Sequence, residues 1–587
     1  MILNNKYLLI ASIAISACTV QYQPKITEKE LYTSISRLAS EEFQGRKPGL
    51  PGDSMAAHFI AGKFRKTGIK LLYNKGYQPV KLITGFKFGS ENQLSSAQQM
   101  FELGADYEPL FFSANKFFSG KLAIVGYGLT ISTDSLKWDD YQNLQADNKW
   151  VLIFDGIPEH LLQNKQIKRY SDVRTKVLNA IDHHAGGILI VTPDFNTKGA
   201  VKTVMFDKNS VPYSVPIMKI SQKTANRILS NQLTFSDIEK KIKIDQKPFS
   251  QLTNFEVKGE ASVLPKITMT QNVVGFIPGT DPKLAEEYIV VGAHYDHLGY
   301  GGPGSGSRMP DTVAVHHGAD DNASGVAAVI ELAQKFAHEK NNRRPILFIA
   351  FTAEEFGLIG SKAFVADPPF SLKKASAMFN FDMIGRLDSA KDLTIGGVGT
   401  SLEAKSLIDS LVHGFNVKIS KEGYGPSDHA SFYGENIPVI YFTSGVHDQY
   451  HTPKDTYDRI NIPGEKMIAE NAYLLIREVA NRSKKLTYQE SGPKIGNSTR
   501  TDLKVALGII PDFAGSEKEG MRIDGVTAGK PASKAGLLKG DIIIAIDGKK
   551  VGSIYDYMAR MKAYSPGQII SVDVIRGKEK KVFLVTL

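Results

Sequence analysis

The feature that most constrains this chain is a stretch from Ala293 to Glu355 in which acidic and imidazole side chains follow apolar strands. It reads AHYDHLG, a glycine-rich loop, GADDNASG, a helical segment and RPILFIAFTAEEFG. His294 ends the first apolar run, and Glu354 follows the second. In open α/β sheets ligands bind beyond the carboxyl ends of the strands, so this spacing predicts that the polar side chains meet at one edge.

Two further segments also carry an acidic or imidazole side chain of this kind: NFDMIG contains Asp382, and DQYHTPKDT contains His451. In GADDNASG, Asp320 and Asp321 are adjacent, and only one of them needs to reach a metal. Sets of carboxylates and imidazoles suit zinc, with manganese or cobalt as substitutes. Each carboxylate alone has a structural alternative, since Asp321 could cap the helix that follows. The coincidence at five places favours a hydrolase built around two metal ions.

The catalytic region, residues 270–483, is predicted to be α/β. Apolar runs predict buried strands at 288–293, 345–351, 377–381 and 439–442, and helical spacing predicts a helix at 322–337. Strands alternating with helices indicate a mostly parallel mixed sheet with helices on both faces. Residues 25–118 are interpreted as the N-terminal part of the peptidase region, with helices at 27–38 and 54–66.

The length and the net charge of the chain limit its number of domains and its possible classes of function. The chain has 587 residues, which is too long for one core. Its formal net charge is +10, but the 71 Lys and Arg residues are scattered, without a basic helix or an aromatic RNA-binding motif. A solvated basic surface is therefore favoured over nucleic-acid binding.

The single cysteine, Cys18, follows an apolar run from Tyr7 to Ile15 that suits a signal peptide. The segment ISAC resembles the lipobox of bacterial lipoproteins, which implies a signal over residues 1–18 and a lipidated Cys18. The expectation is an exported bacterial lipoprotein, anchored to a membrane and facing the periplasm or cell envelope. Plain secretion and a short uncleaved anchor are the alternatives.

Two other regions resemble accessory domains. Residues 119–253, with KWVLIFDG, AGGILIV and VPIMKIS, resemble the mainly β protease-associated (PA) domain inserted in many peptidases. After a polar linker at 484–501, residues 502–587 contain KPASKAGLLKGDIIIAIDGKKV and resemble a PDZ domain. The resemblance implies a C-terminal peptide ligand bound near ALGI, residues 506–509. A packing module that binds nothing is the alternative.

The catalytic segments AHYDH, GADDNASG, TAEEFGLIGS, NFDMIG and YHTPKDT resemble the di-zinc aminopeptidases related to bacterial leucyl aminopeptidases, glutamate carboxypeptidase and glutaminyl cyclase. The resemblance implies two zinc ions bound by His294, Asp321 and Asp382 and by Asp321, Glu355 and His451. It also implies a general base and two supporting residues: Glu354 as the base, Asp296 as the carboxylate that orients His294, and Tyr450 as a helper at the oxyanion. In this mechanism Glu354 takes the proton of a water shared by the ions and returns it to the leaving amine.

The pattern gives no ligand role to His297, His316, His317 or His429, and it places Asp428 and His429 in the pocket wall. The favoured function is an aminopeptidase that acts on peptide substrates. A carboxypeptidase or another amidohydrolase on the same site is the alternative. A non-catalytic peptide-binding protein is disfavoured because all five ligands and the base are present.

Overall fold

The structure, a computed structural model, describes residues 25–97, 99–132, 136–163, 167, 169–192, 212–230, 233–492, 505–511, 520–527 and 529–587. Cys18 and the expected signal segment lie outside these residues, as does the second half of the expected linker, residues 493–501. The described residues form three large sheets, each packed against hydrophobic core residues, and one two-stranded ribbon. Within these ranges no helix has both the length and the apolar character needed to cross a membrane.

The first sheet, called here the catalytic sheet, has nine strands. Its four central strands run parallel, and all of their residues but one are buried. In spatial order the strands are Lys70–Leu71, Val263–Ile277, Ile346–Phe351, Tyr288–His294, Ala375–Phe381, Val439–Thr443, Asp392–Gly396 and Asn416–Ile419, with Tyr77–Phe88 also paired to Val263–Ile277. The strand Val263–Ile277 is antiparallel to its neighbours. The predicted mostly parallel mixed sheet is confirmed.

Helices cover this sheet because each has one apolar face. The helix Gly325–Glu339 buries nearly all of its first ten residues. The first helix is capped by Thr27, whose side chain accepts the N–H of Glu30 at 3.2 Å. The helices of this region are Glu28–Leu38, Pro51–Lys66, Gly325–Glu339, Ile359–Ala366, Ala404–Leu411, His429–Gly434 and Ile462–Asn481.

A second sheet of eight strands forms a separate core. In spatial order its strands are Gln99–Met100, Gln93–Ser96, Gln251–Ala261, Lys116–Ile124, Trp150–Phe154, Gly187–Thr192, Ile217–Ser221 and Tyr107–Pro109. A two-stranded ribbon, Thr130–Ser132 with Lys137–Asp139, and three helices, Val173–Asp182, Gln222–Ile228 and Phe235–Asp245, complete the region.

This sheet begins earlier and ends later than the predicted boundaries of 119 and 253. Gln93–Ser96 pairs antiparallel with Gln251–Ala261, so the chain enters the second sheet well before residue 119. The two strands are more than 150 residues apart in the sequence, and Gln93–Ser96 is too short and polar to show a strand pattern.

The third sheet contains Ile509–Pro511, Met521–Val526, Ile542–Ile546, Ile569–Arg576 and Glu579–Thr586, with Lys549–Lys550 paired to Ile542–Ile546. Its helices are Pro531–Ala535 and Ile554–Met561. This region contacts both other regions. Arg560 forms an ion pair with Asp182 of the second region, and Lys539 pairs with Glu435 of the catalytic region.

Candidate active site

The carboxyl ends of the central strands converge as the sequence predicts. His294 is the last residue of Tyr288–His294, Glu354 and Glu355 follow Ile346–Phe351, and Asp382 follows Ala375–Phe381. These strands are neighbours, so the side chains at their ends come together at one edge.

The first group of ligand atoms surrounds His294. Its Nε2 lies 3.4 Å from Oδ1 of Asp321 and 3.4 Å from Oδ1 of Asp382. Glu354 belongs to the same cluster, since one ligand atom each of His294, Glu354 and Asp382 lie within 4.8 Å of one another. The base predicted from the sequence therefore lies beside the residues predicted to hold the first ion.

The second group surrounds His451. Its Nε2 lies 3.1 Å from Oδ2 of Asp321 and 3.2 Å from Oε2 of Glu355. Asp321 thus presents Oδ1 to His294 and Oδ2 to His451. A carboxylate shared in this way has the geometry of a bridging ligand.

These distances fit a metal centre. Zinc bonds of about 2.0–2.2 Å with tetrahedral angles separate neighbouring ligand atoms by about 3.3–3.5 Å. The four distances around His294 and His451 lie between 3.1 and 3.4 Å. The residues present therefore fit two divalent ions, each with imidazole and carboxylate ligands.

Neighbouring groups hold the ligands in place. The Asp455 carboxylate accepts the main-chain N–H groups of Asp320 and Asp321 at 2.9 and 3.1 Å. The carbonyl oxygen of Gly306, in the glycine-rich loop, lies 3.1 Å from Nδ1 of His451. Metal-ligating histidines usually donate their second N–H in this way, which fixes the tautomer.

Asp296 supports the site through both its main chain and its side chain. Nδ1 of His294 lies 3.2 Å from the Asp296 carbonyl oxygen and 3.7 Å from its carboxylate. The carboxylate accepts the N–H groups of Glu354 at 3.0 Å and Glu355 at 3.3 Å. The predicted support of His294 comes through the carbonyl at the shorter distance, and the carboxylate fixes the Glu354–Glu355 backbone.

Asp320 and Asp321 separate as the sequence anticipates, with one carboxylate at the site and the other turned away. Asp320 accepts the N–H of Gly385 at 2.6 Å and the hydroxyl of Ser324 at 3.1 Å. The role of Asp320 is therefore to tie the turn Ala319–Ser324 to the segment after Asp382.

The electrostatics show a strongly acidic cluster. Burial raises the pKa of Glu354 well above its usual range, and the neighbouring Glu355 and Asp382 add to this effect. Burial also acts to raise the pKa of Glu355, but hydrogen bonds with His297 and His451 outweigh it and lower the pKa to about 2. Burial opposes the charge on His451, but hydrogen bonds to Asp321 and Glu355 raise its pKa to about 11. Only the neutral imidazole is a metal ligand, so a divalent ion would take the place of a proton on these rings.

Arg46 is a functional residue that the sequence did not reveal. It is fully buried, and it donates to the carbonyl oxygens of Tyr295, Leu38, His317 and Gly318 at 2.7–2.8 Å. Burial lowers its pKa to about 10, against the opposing effect of the nearby acids. Arg46 lies in the turn-rich segment 45–53, and only its long-range contacts identify it as a brace of the strand end that carries His294.

The structure also places the other histidines. His316 contacts the Ser307 hydroxyl at 2.8 Å, and His317 contacts the Ala39 carbonyl oxygen at 2.9 Å. His429 stacks on Tyr441, with ring centroids 4.4 Å apart, and burial lowers its pKa to about 3. Burial raises the pKa of the neighbouring Asp428 to about 7. None of these contacts involves a predicted ligand.

Two residues lie closer to the ligands. Tyr450 stacks on His451 with ring centroids 3.8 Å apart. Nδ1 of His297 is 2.8 Å from Oε1 of Glu355, and His297, Asp321 and Glu355 form a group with ligand atoms within 4.8 Å. The family pattern gave His297 no role, although it directly follows Asp296.

An α/β sheet whose strand ends carry a buried carboxylate–imidazole cluster defines a metal-dependent enzyme domain. Comparison with known families gives this domain its name. Residues 272–476 match the sequence model of Peptidase family M28, and residues 498–587 match that of the PDZ domain. The catalytic region of this chain is thus similar to Peptidase family M28, and its C-terminal region is similar to PDZ domains.

Individual relatives cover only part of this chain. Aminopeptidase YwaD of Bacillus subtilis is 28% identical over 227 residues, which are 37% of this chain and 46% of the relative. Probable leucine aminopeptidase 1 of Trichophyton verrucosum is 29% identical over 231 residues, 36% of this chain and 58% of the relative. The chain thus spans about half the length of these curated relatives. Among solved structures, an aminopeptidase from Aneurinibacillus sp. strain AM-1 is 23% identical with a TM-score of 0.44, covering 80% of this chain and 97% of the other.

Proposed function

We propose that this protein is a zinc-dependent aminopeptidase that hydrolyses N-terminal residues from peptides at a centre of two ions. The observation that carries the proposal is the division of Asp321, with one oxygen facing His294 and the other facing His451. The buried Glu354 lies beside this bridge. The M28 match and relatives named as aminopeptidases support the same activity.

In this proposal His294, Asp321 and Asp382 hold one ion, and Asp321, Glu355 and His451 hold the other. When bound, the ions would lower the pKa of a water molecule and polarise the scissile carbonyl. Glu354 accepts the proton of the attacking water and transfers it to the leaving amine. Burial raises the pKa of Glu354, which makes its carboxylate a stronger proton acceptor. Tyr450, stacked on His451, is proposed to donate a hydrogen bond from its hydroxyl group to the oxyanion.

The first test is hydrolysis of matched free and N-acetylated short peptides, with and without a chelator. Release of the first residue from free N-termini alone, abolished by the chelator, is the expected result. Cleavage of the acetylated peptides from the other end would establish the alternative, a carboxypeptidase.

The second test is Glu354→Gln, which keeps the size of the side chain but removes the proton carrier. We expect unchanged metal content and a fall in kcat of about 10²–10⁴-fold. Metal analysis of the same sample is the control that separates loss of the base from loss of an ion. Turnover close to that of the unmodified enzyme would falsify the role of Glu354.

We further propose that the PDZ domain binds extended peptides and presents long substrates. Ile509–Pro511 is the last strand in the order of its sheet, which suits addition of a peptide strand. Deleting residues 502–587 is expected to lower kcat/KM for long peptides and to leave short peptides unaffected, so the short peptides are the internal control. Equal kcat/KM values for long peptides before and after the deletion would contradict this role.

A further inference from the structure

His297 is a fully buried imidazole that faces a metal ligand at hydrogen-bond distance. Its Nδ1 lies 2.8 Å from Oε1 of Glu355 and 3.7 Å from Oδ2 of Asp321. Gly318, whose φ is +54°, lies against this ring: a Cβ atom there would lie 2.6 Å from Cγ and Cδ2 of His297 and 2.2 Å from the carbonyl oxygen of Asp321. The turn beside the second group of ligands is thus packed closely against the His297 ring.

The two oxygens of Glu355 have different partners. Oε1 faces His297 at 2.8 Å, whereas Oε2 faces Nε2 of His451 at 3.2 Å. The longer distance, to His451, is the closer of the two to the separation of about 3.3–3.5 Å between two ligands of one zinc ion. The shorter distance is that of a hydrogen bond between a nitrogen and a carboxylate oxygen.

We propose that His297 is a positioning residue for the second ion. Its Nδ1–H donates to Oε1 of Glu355, which turns Oε2 toward the position shared with His451 and Asp321. The proposal rests on the proposed metal centre and adds to it a residue that the family pattern left without a role.

The main chain around Glu355 is held by the residue next to His297. The Asp296 carboxylate accepts the N–H groups of Glu354 and Glu355 at 3.0 and 3.3 Å. Consecutive residues after the strand Tyr288–His294 thus fix both the backbone and the side chain of Glu355. Asp296 fixes the position of the Glu355 main chain, and His297 fixes which carboxylate oxygen of Glu355 points toward the second ion.

The test is titration of zinc into metal-stripped protein by calorimetry, with His297→Ala and His297→Asn compared with the unmodified chain. Asparagine places an amide N–H close to the position of Nδ1, so it retains the donor. We expect His297→Ala to weaken binding of the second ion by about 10–100-fold, as loss of a partner of a metal ligand typically does. We expect the first ion to bind unchanged and His297→Asn to behave like the unmodified protein.

Cobalt absorption spectra separate positioning from direct ligation. Under the proposal, His297→Asn keeps both the zinc affinity and the visible spectrum of the cobalt-loaded protein. Equal loss of affinity in the alanine and asparagine variants, with an altered spectrum, would show that His297 is itself a ligand and overturn the proposal. Unchanged second-ion affinity in His297→Ala would overturn it as well.

Two further controls complete the design. His413→Ala removes an exposed imidazole of the same domain and is expected to leave both affinities unchanged. If the alanine variant does not fold, His297→Leu replaces it, since leucine fills the space without a donor. Because ion binding is measured without peptide, absence of aminopeptidase activity would refute the proposed function and leave this result standing.

Discussion

The catalytic sheet and the second sheet both bury charged side chains beside parallel strands, but they neutralise them differently. In the second region, Lys176 is fully buried and donates to the carbonyl oxygens of Phe154, at 2.6 Å, and Gly156. The equally buried Asp140 accepts the N–H of Leu129 at 2.9 Å. Each of these two side chains is thus held by hydrogen bonds to the main chain.

The catalytic region has no such balance among the described residues. Eight carboxyl groups gather around its strand ends: Asp296, Asp320, Asp321, Glu354, Glu355, Asp382, Asp428 and Asp455. The fully buried Arg46 directs its hydrogen bonds to carbonyl oxygens, and the guanidinium group of Arg386 lies 3.8 Å from the Asp455 carboxylate. Buried carboxylates are costly unless paired or bound to metals. An excess of buried acidic side chains therefore indicates a cation-binding site, whereas buried charges that are each bonded to the main chain indicate a structural role.

The largest effect that tests this contrast is expected from Asp321→Asn. Asparagine has a similar size but a single oxygen, so it cannot supply a bridging carboxylate to two ions. We expect fewer than two ions per chain and a loss of kcat/KM greater than the 10²–10⁴-fold range expected for a missing base, roughly beyond 10⁴-fold. Metal analysis and peptide hydrolysis measure the two effects.

Asp140→Asn is the matched control, because Asp140 is equally buried but belongs to the second region. Its metal content and kcat/KM are expected to equal those of the unmodified protein. The contrast between the two regions would fail if Asp321→Asn kept two ions, or if Asp140→Asn lost one.

The sequence predicted that His294, Glu355 and Asp382 lie close together, because each ends or follows an apolar strand. The ends of parallel strands meet at one edge, and that rule holds here. Arg46 and His297 could not be assigned in this way. Their roles depend on where a side chain turns and which distant atom it meets, as with the Arg46 contact to Tyr295, 249 residues away.

The position at which the second region begins also could not be predicted from the sequence, for a related reason. Gln93–Ser96 is a short, partly exposed strand with little apolar periodicity. Its place in the sheet comes from pairing with Gln251–Ala261, and long-range strand pairing leaves no local signal. Patterns of single segments therefore predicted the cores of both regions better than the boundary between them.

A smaller effect is expected in the second region, where Asp140 makes the free energy of unfolding depend on pH. Burial raises the pKa of Asp140 to about 7, from the ordinary aspartate value of 3.8. Between these values the folded state keeps a proton that the unfolded state releases. The free energy of unfolding therefore falls as the pH rises through this range.

Asp140→Asn is expected to remove this contribution, because asparagine still offers an oxygen to the N–H of Leu129 but does not ionise. The variant should lose less stability than the unmodified protein between pH 4 and pH 7, about the interval over which the linkage acts. Both tryptophans of the chain, Trp138 and Trp150, are buried in the second region, so urea unfolding followed by tryptophan fluorescence reports on that region. Zinc binding to the same samples is the control and should not change. If the variant kept the full pH dependence, Asp140 would not be the buried acid that limits the stability of this region.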